Sequence, residues 1–261
     1  MGLILAGSIC LFFSMSASAA ESELSQQNAA AAVFAARAEK ALQAARVRLK
    51  SESTNSEAAW QFGRACFDMA EFAENNKQRE DYAAEGIDVC RQLSLRQPQL
   101  VASHYYFAMN LGQLARTKTL GALKLVSEME FAFQRAHDLD ERFDYAGPDR
   151  NLGLLYLEAP GWPTSIGNRS KARHHLQRAV LLSPSFPENR LNLIEAYLKF
   201  GDKTAAQGEF KELKEFWPAA KKQFSGEQWE KSWGDWEKGR QKIELKLSES
   251  SKALTSPGGQ K

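Results

Sequence analysis

Phe34, Ala38, Ala41, Ala45 and Leu49 recur at three- and four-residue steps in the Ala-rich stretch Leu24–Lys50. That spacing puts one apolar stripe on one face of a predicted helix. Ser51–Ser56 (SESTNS) ends the helix and offers an N-cap to the next one. Beyond it, no segment alternates apolar and polar residues long enough to form a strand, so the chain reads as successive helical hairpins. Near the end, Trp229, Trp233, Trp236, Ile243 and Leu247 share one face of Glu227–Leu247, whose other positions are mostly charged or amide-bearing. A terminal unit with one apolar and one wet face predicts a capping helix, with the tryptophans in its core rather than forming a ligand platform. Ser248–Lys261 lacks apolar periodicity and is expected to be a flexible tail.

The hairpins repeat. Pro187–Pro218 (PENRLNLIEAYLKFGDKTAAQGEFKELKEFWP) resembles one tetratricopeptide repeat (TPR). Leu193 and Tyr197 take its large positions, Gly201 the turn, Ala206 and Phe210 the small and aromatic positions, and Pro218 the closing one. Ile194 and Leu213 depart, standing where small residues are usual. Leu152-Gly153-x-x-Tyr156 with Ala172, Leu176, Ala179 and Pro184 marks another copy. Phe107, Ala108 and Leu111 with Phe133 and Ala136 mark a third, and Trp60 and Phe67 with Cys90, Leu93 and Pro98 the earliest. Small residues let paired helices approach closely, large ones fill the gap between hairpins, and proline stops the second helix. In this register Gly153 lies against Ala172 or Ala179. The expected fold is an all-α, TPR-like α-solenoid of antiparallel hairpins. It comprises an N-terminal helix and linker (20–56), about four hairpins (57–218), a capping helix (219–247) and the tail (248–261).

Composition narrows the function classes. The 261 residues carry 34 Lys+Arg and 32 Asp+Glu, a formal charge of +2, without the basic excess of a general nucleic-acid binder. At 43% hydrophobic the chain has ample apolar surface to bury, which excludes wholesale disorder. The leader has no charged residue before Glu21; the apolar run Leu3–Phe13 leads into Ala17-Ser18-Ala19, a small–x–small site for signal peptidase. Cleavage after Ala19 gives an exported protein starting at Ala20. The competing reading, a retained anchor, has only eleven strongly apolar residues against the ~20 a spanning helix needs. No stable membrane span is expected after processing.

Candidate chemistry is sparse. Adjacent His174 and His175 point apart on a helix and so cannot share one metal from that face, and His104 and His137 stand alone. No Gly-x-Ser-x-Gly elbow, phosphate loop or Cys-x-x-Cys pair occurs. The expectation is a non-enzyme without metal or cofactor. Cys66 and Cys90 fall in the two helices of one hairpin, and either a disulfide or a free buried pair fits.

The leader, the elongated hairpins and the stretches AMNLG, DRNLGLLYLEAPGWP and PENRLNL are similar to the T-component family of TRAP transporter systems, over roughly Ala58–Pro218. The resemblance implies a periplasmic helper that docks a solute-binding protein and passes a small hydrophobic ligand; the chain departs from it in lacking a lipoprotein cysteine. Two functions therefore stand: an exported scaffold binding a protein or peptide on its concave face, or a small-ligand carrier of the transporter-helper kind. Neither binds nucleic acid. Mapping the groove-facing TPR positions selects Gln61, Ala65, Asp68, Met69, Tyr105, Met109, Arg150, Leu154, Glu158, Glu195 and Lys199. The alternative surface is the rim, where the extra residues of the first three copies gather with Trp162 and Ile166.

Overall fold

A computed structural model describes residues 9–118 and 121–255. The first eight residues of the leader and the last six of the expected tail lie outside the described residues. Helices make up most of the described residues, and no strand occurs among them. The helices are α1 (Ile9–Ser51), α2 (Ser56–Ala70), α3 (Asn76–Arg96), α4 (Val101–Ala115), α5 (Ala122–Leu139), α6 (Phe143–Glu158), α7 (Arg169–Leu182), α8 (Pro187–Phe200), α9 (Lys203–Gln223) and α10 (Glu230–Thr255). Helices α2 to α9 pair in order into four antiparallel hairpins, each packed on the next: a TPR-like solenoid. No helix among the described residues is long and apolar enough to cross a membrane.

Helix starts follow local chemistry. The Asn55 side chain accepts hydrogen bonds from the Glu57 and Ala58 amides, Asn75 from Gln78, Asn168 from Lys171 and Asp202 from Ala205. Gly201 ends α8 in the left-handed region, at φ 79°, as glycine does without steric cost.

Glycine also sets the distance within hairpins. A Cβ at Gly153 would lie 2.6 Å from Leu176 Cγ, and one at Gly63 would lie 2.2 Å from Cys90 Sγ. Gly153 thus meets Leu176 rather than the expected Ala172 or Ala179; the three residues lie within two turns of one face of α7, so the pairing is right and the contact shifts by one turn.

Two boundaries differ from expectation. Pro218 does not stop α9, which runs on to Gln223 although the proline removes one ladder donor. Buried Ala220 and Phe224, and Trp217 edge-on to Trp233, hold that extra turn. Residues 248–255, expected in the tail, continue α10.

The start of α6 is broken. Asp144, Tyr145 and Ala146 take φ of 49°, 56° and 61°, three successive left-handed residues without a glycine. Each costs roughly 1–2 kcal/mol, so the surroundings must hold them. Arg150 donates to the carbonyls of Asp144 and Tyr145, and Asn189 of the next hairpin donates to the Tyr145 carbonyl. Tyr145 itself stacks on Phe186, with ring centres 4.5 Å apart. Regular helix resumes at Gly147, and Pro148 suits its first turn.

Candidate binding cleft

Helix α10 turns back over α8 instead of extending the stack. Trp236, Ile243 and Leu247 are buried there with Leu191 and Ile194 of α8, and the turn before α10 closes an aromatic cluster of Tyr145, Phe186, Phe224, Trp229 and Trp236. The tryptophan face is therefore core, as the periodicity indicates. Its path also brings the two ends of the chain together: Arg37 of α1 pairs with Glu227 at 3.0 Å and with Glu230 at 2.6 Å.

Between these ends lies an open cleft of about 750 Å³. Phe34, Ala38 and Ala41 of α1 form one wall. Arg64, Phe67 and Asp68 of α2, with Glu71 and Phe72 just beyond it, form the second. Glu188, Leu191, Asn192 and Glu195 of α8 and Lys231, Asp235, Trp236 and Ile243 from the α10 side complete it. On α2 and α8 the lining residues step by three and four, the mark of one helix face turned inward. A second, smaller cleft on the other flank of α10 is lined by Leu154, Leu157, Glu158, Asn192, Glu195, Lys199 and Lys242, among others.

The main cleft is amphipathic. Three of its carboxylates have loose cationic neighbours: Asp68 lies 3.6 Å from Arg64, Glu188 4.0 Å from Arg150, and Glu195 3.4 Å from Lys242. The others are paired more closely, Glu71 with Arg116 at 2.9 Å, Glu227 with Arg37 at 3.0 Å and Asp235 with Lys231 at 2.8 Å. Asp68 keeps about half its side chain open to solvent (49%), yet it sits deep in the concavity. Burial, with Asp144 and Glu71 nearby, pushes its carboxyl up to about 6 against the pull of Arg64 and Lys231. The Asn192 side-chain nitrogen is shielded from solvent and has no hydrogen-bond acceptor.

The predicted groove residues divide sharply. Asp68, Glu195, Leu154, Glu158 and Lys199 line one cleft or the other. Lys199 pairs with Glu158 at 2.9 Å, so these two charges partly satisfy each other. Gln61, Ala65 and Met69 do not face the cleft: Ala65 and Met69 are buried against α1, and Gln61 bonds to Arg48. Met109 is half-buried and packs into the central core.

Tyr105 and Arg150 are corrections. Tyr105 is fully buried, donating to Asp144 at 2.6 Å and accepting from Asn151. Arg150 is 5% exposed, and its guanidinium is spent on Asp144, Asn189 and backbone carbonyls while lying over the Phe186 ring. Burial opposes its charge, but Glu188, Tyr105 and Asp144 outweigh that and hold the group cationic. Neither residue is free to fork onto a partner; together they hold the left-handed corner.

At the rim, Trp162 is 88% exposed, whereas Ile166 packs into the core beneath its own loop. Cys66 and Cys90 are free thiols, both fully buried, and no disulfide joins them. Burial raises both; Cys90 is pushed up to about 12. Cys66 packs in the α1–α2 cluster and Cys90 in the central one.

Spacing alone missed one constellation. His137 of α5 and His175 of α7 each place Nδ1 on one oxygen of the fully buried Asp149, at 3.2 and 2.7 Å, with Arg178 at 3.6 Å. His174, the neighbour, points outward. The four groups tie three helices together. No cluster with the makings of a metal site occurs among the described residues.

Comparison with known proteins places the chain among helical-repeat structures. The family described as regulator of microtubule dynamics protein 1-3 matches residues 24–140. That segment holds α2 to α5 and most of α1; α8 and α10, which build the other wall of the cleft, lie outside it. No curated protein matches the chain. Among solved structures, TTC0263, a thermophilic TPR protein of Thermus thermophilus, aligns at 20% identity with a TM-score of 0.57, over 70% of this chain and 84% of that one. MamA aligns at 18% identity and 0.50, over 71% and 91%. These likenesses establish the TPR-like fold.

Proposed function

We propose that the protein is a non-enzymatic scaffold that holds a segment of a partner polypeptide in the cleft between α1–α2 and α8–α10. The observation that carries this reading is the seating of α10 itself. The concave side of α8 already takes an amphipathic helix, apolar face inward, in the manner of helix-in-groove recognition. The adjoining walls repeat that chemistry, with Phe34, Phe67, Phe72 and Leu191 among charged side chains, and they stand open. The leader ending in Ala17-Ser18-Ala19 supports export as the setting. A small-ligand carrier is the competing reading, favoured by the apolar share of the same walls.

The test is site-specific photo-crosslinking in the producing cell, with benzoylphenylalanine at Phe72 in the cleft, at Trp162 on the rim and at the exposed Phe131 on α5. A polypeptide adduct from Phe72 alone is expected. Adducts confined to Trp162 or Phe131 would overturn the placement. A purified protein whose cleft holds a small apolar molecule by native mass spectrometry, with no polypeptide adduct, would favour the carrier.

A further inference from the structure

Resting on the scaffold reading, we infer that the cleft selects a lysine-bearing amphipathic helix, a segment of the same chemistry as α10. Three observations meet here. The first is the precedent inside the chain. Helix α10 presents Trp236, Ile243 and Leu247 to α8, and from its flanks Lys242 reaches Glu195 at 3.4 Å while Lys231 lies 5.8 Å above the Phe72 ring. An apolar stripe flanked by lysines is thus what this concave surface already holds.

The second is charge. Six carboxylates line the cleft; besides the lining cations Arg37, Arg64 and Lys231, Arg116 holds Glu71 at 2.9 Å and Lys242 holds Glu195 at 3.4 Å from outside it. Arg37 is committed to Glu227 and Glu230, and Lys231 to Asp235 at 2.8 Å. Asp68 and Glu188 are left with neighbours at 3.6 and 4.0 Å, outside hydrogen-bond distance. An incoming ammonium would find carboxylates with unused acceptor positions, whereas an incoming carboxylate would be repelled. The third is Asn192, on the floor between the two clefts, whose buried amide nitrogen lacks an acceptor. A polypeptide supplies carbonyl or side-chain oxygens; a bare hydrocarbon supplies none.

The occupant is therefore a helix whose apolar residues meet Phe34, Phe67 and Leu191 and whose lysines meet Asp68 and Glu188. The probes are two dye-labelled model helices: one of Leu and Lys at helical spacing with a single Trp, and the same peptide with every Lys replaced by Glu. Binding to the full chain is followed by fluorescence anisotropy. The Lys helix is expected to bind at least ten-fold more tightly than the Glu helix, and more weakly as salt is raised. The Asp68→Asn/Glu188→Gln variant, checked for native circular dichroism, is expected to lose most of that preference. Should the variant fail to fold, the salt series and the two-peptide ratio on the wild-type chain still decide.

Equal binding of both helices, preference for the Glu helix, or a preference unchanged in the folded variant would overturn the inference. Such a result would leave the scaffold reading standing if crosslinking at Phe72 still captures a polypeptide. Neither peptide binding, with no polypeptide adduct at Phe72, would sink both.

Discussion

Gly153 offers the cleanest test of the hairpin packing. In Gly153→Leu, the first added carbon alone falls 2.6 Å from Leu176 Cγ, 2.9 Å from its Cδ2 and 3.1 Å from its backbone nitrogen. Leu176 is fully buried, so its side chain has no solvent to retreat into, and the backbone contact stops α6 and α7 from sliding together. Overpacking of this kind costs about 1–3 kcal/mol. Three further carbons in filled space put Leu at or above the top of that range. The gain from replacing a helical glycine, about 1 kcal/mol, offsets only part. A net loss of about 2–3 kcal/mol is expected. At roughly 2–4 °C per kcal/mol for a domain of this size, melting falls by about 4–12 °C.

Gly208, in α9, is the control. Nothing lies within 4 Å of a Cβ built there, so Gly208→Ala should keep the propensity gain and raise stability by up to about 1 kcal/mol. Both variants are measured by thermal and urea unfolding, with circular dichroism confirming helix content. Melting of Gly153→Leu at or above wild type would refute the close crossing of α6 and α7. Two variants of opposite sign would confirm that the glycines differ by their neighbours.

Further expectations follow from the same structure. Asp149→Ala strips His137, His175 and Arg178 of a shared acceptor and should cost about 2–3 kcal/mol, read as a melting loss of at least 4 °C; unchanged melting would show that the network adds nothing. Cys66 and Cys90, fully buried with raised pKa values, should resist a thiol reagent in the folded protein and react together on unfolding; rapid labelling of the native chain would contradict their burial. If the leader directs export as proposed, mass spectrometry of the protein from the producing cell should find Ala20 at the N-terminus, and an intact Met1 in the membrane fraction would defeat that reading. The Lys helix should bind more weakly at pH 5 than at pH 7, because burial raises the Asp68 carboxyl and an incoming ammonium lowers it again. Because that pKa is raised in the fold, the Asp68 contribution to stability falls as pH rises from 3.8 to about 6 and stays low above; Asp68→Asn should flatten both profiles.

The hairpin architecture was legible because it rests on local signals: helical periodicity, capping Asn and Asp residues, and small residues where helices cross. The groove was legible only where the register was right. In the last copy, Glu195 and Lys199 fall on the cleft face as mapped. In the first copy, taking Trp60 and Phe67 as guides turned the helix by one residue, which selected Gln61, Ala65 and Met69 beside Asp68, the one of the four that faces the cleft. The residues that face the cleft are Arg64, Phe67 and Asp68. A signal for the correct register was present: Gly63, Ala108 and Gly153 stand 45 residues apart, and Gly63 meets Cys90 just as Gly153 meets Leu176. The small residue at the close crossing fixes the helix rotation more firmly than a large one does, since only a small residue fits there.

Tyr105 and Arg150 show a different limit. Their positions on α4 and α6 are those of groove residues in a regular repeat, and the regularity fails just before Arg150. Three left-handed residues swing Asp144 onto the Tyr105 hydroxyl and aim two carbonyls at the Arg150 guanidinium. Periodicity carries no trace of such a corner, because Asp144, Tyr145 and Ala146 are ordinary helix-compatible residues in composition. The path of α10 is of the same kind. Its stripe identifies an amphipathic helix, but whether that helix closes the stack or folds back into the concavity depends on Phe186, Phe224 and Tyr145, contributed by three other elements. Folding back converts an open surface into a cleft with α1 as its far wall. That wall, Phe34, Arg37, Ala38 and Ala41, belongs to no repeat and so could not come from repeat logic. Residues fixed by local packing can thus be read from the chain one hairpin at a time, while those that define the cleft depend on contacts between its two ends.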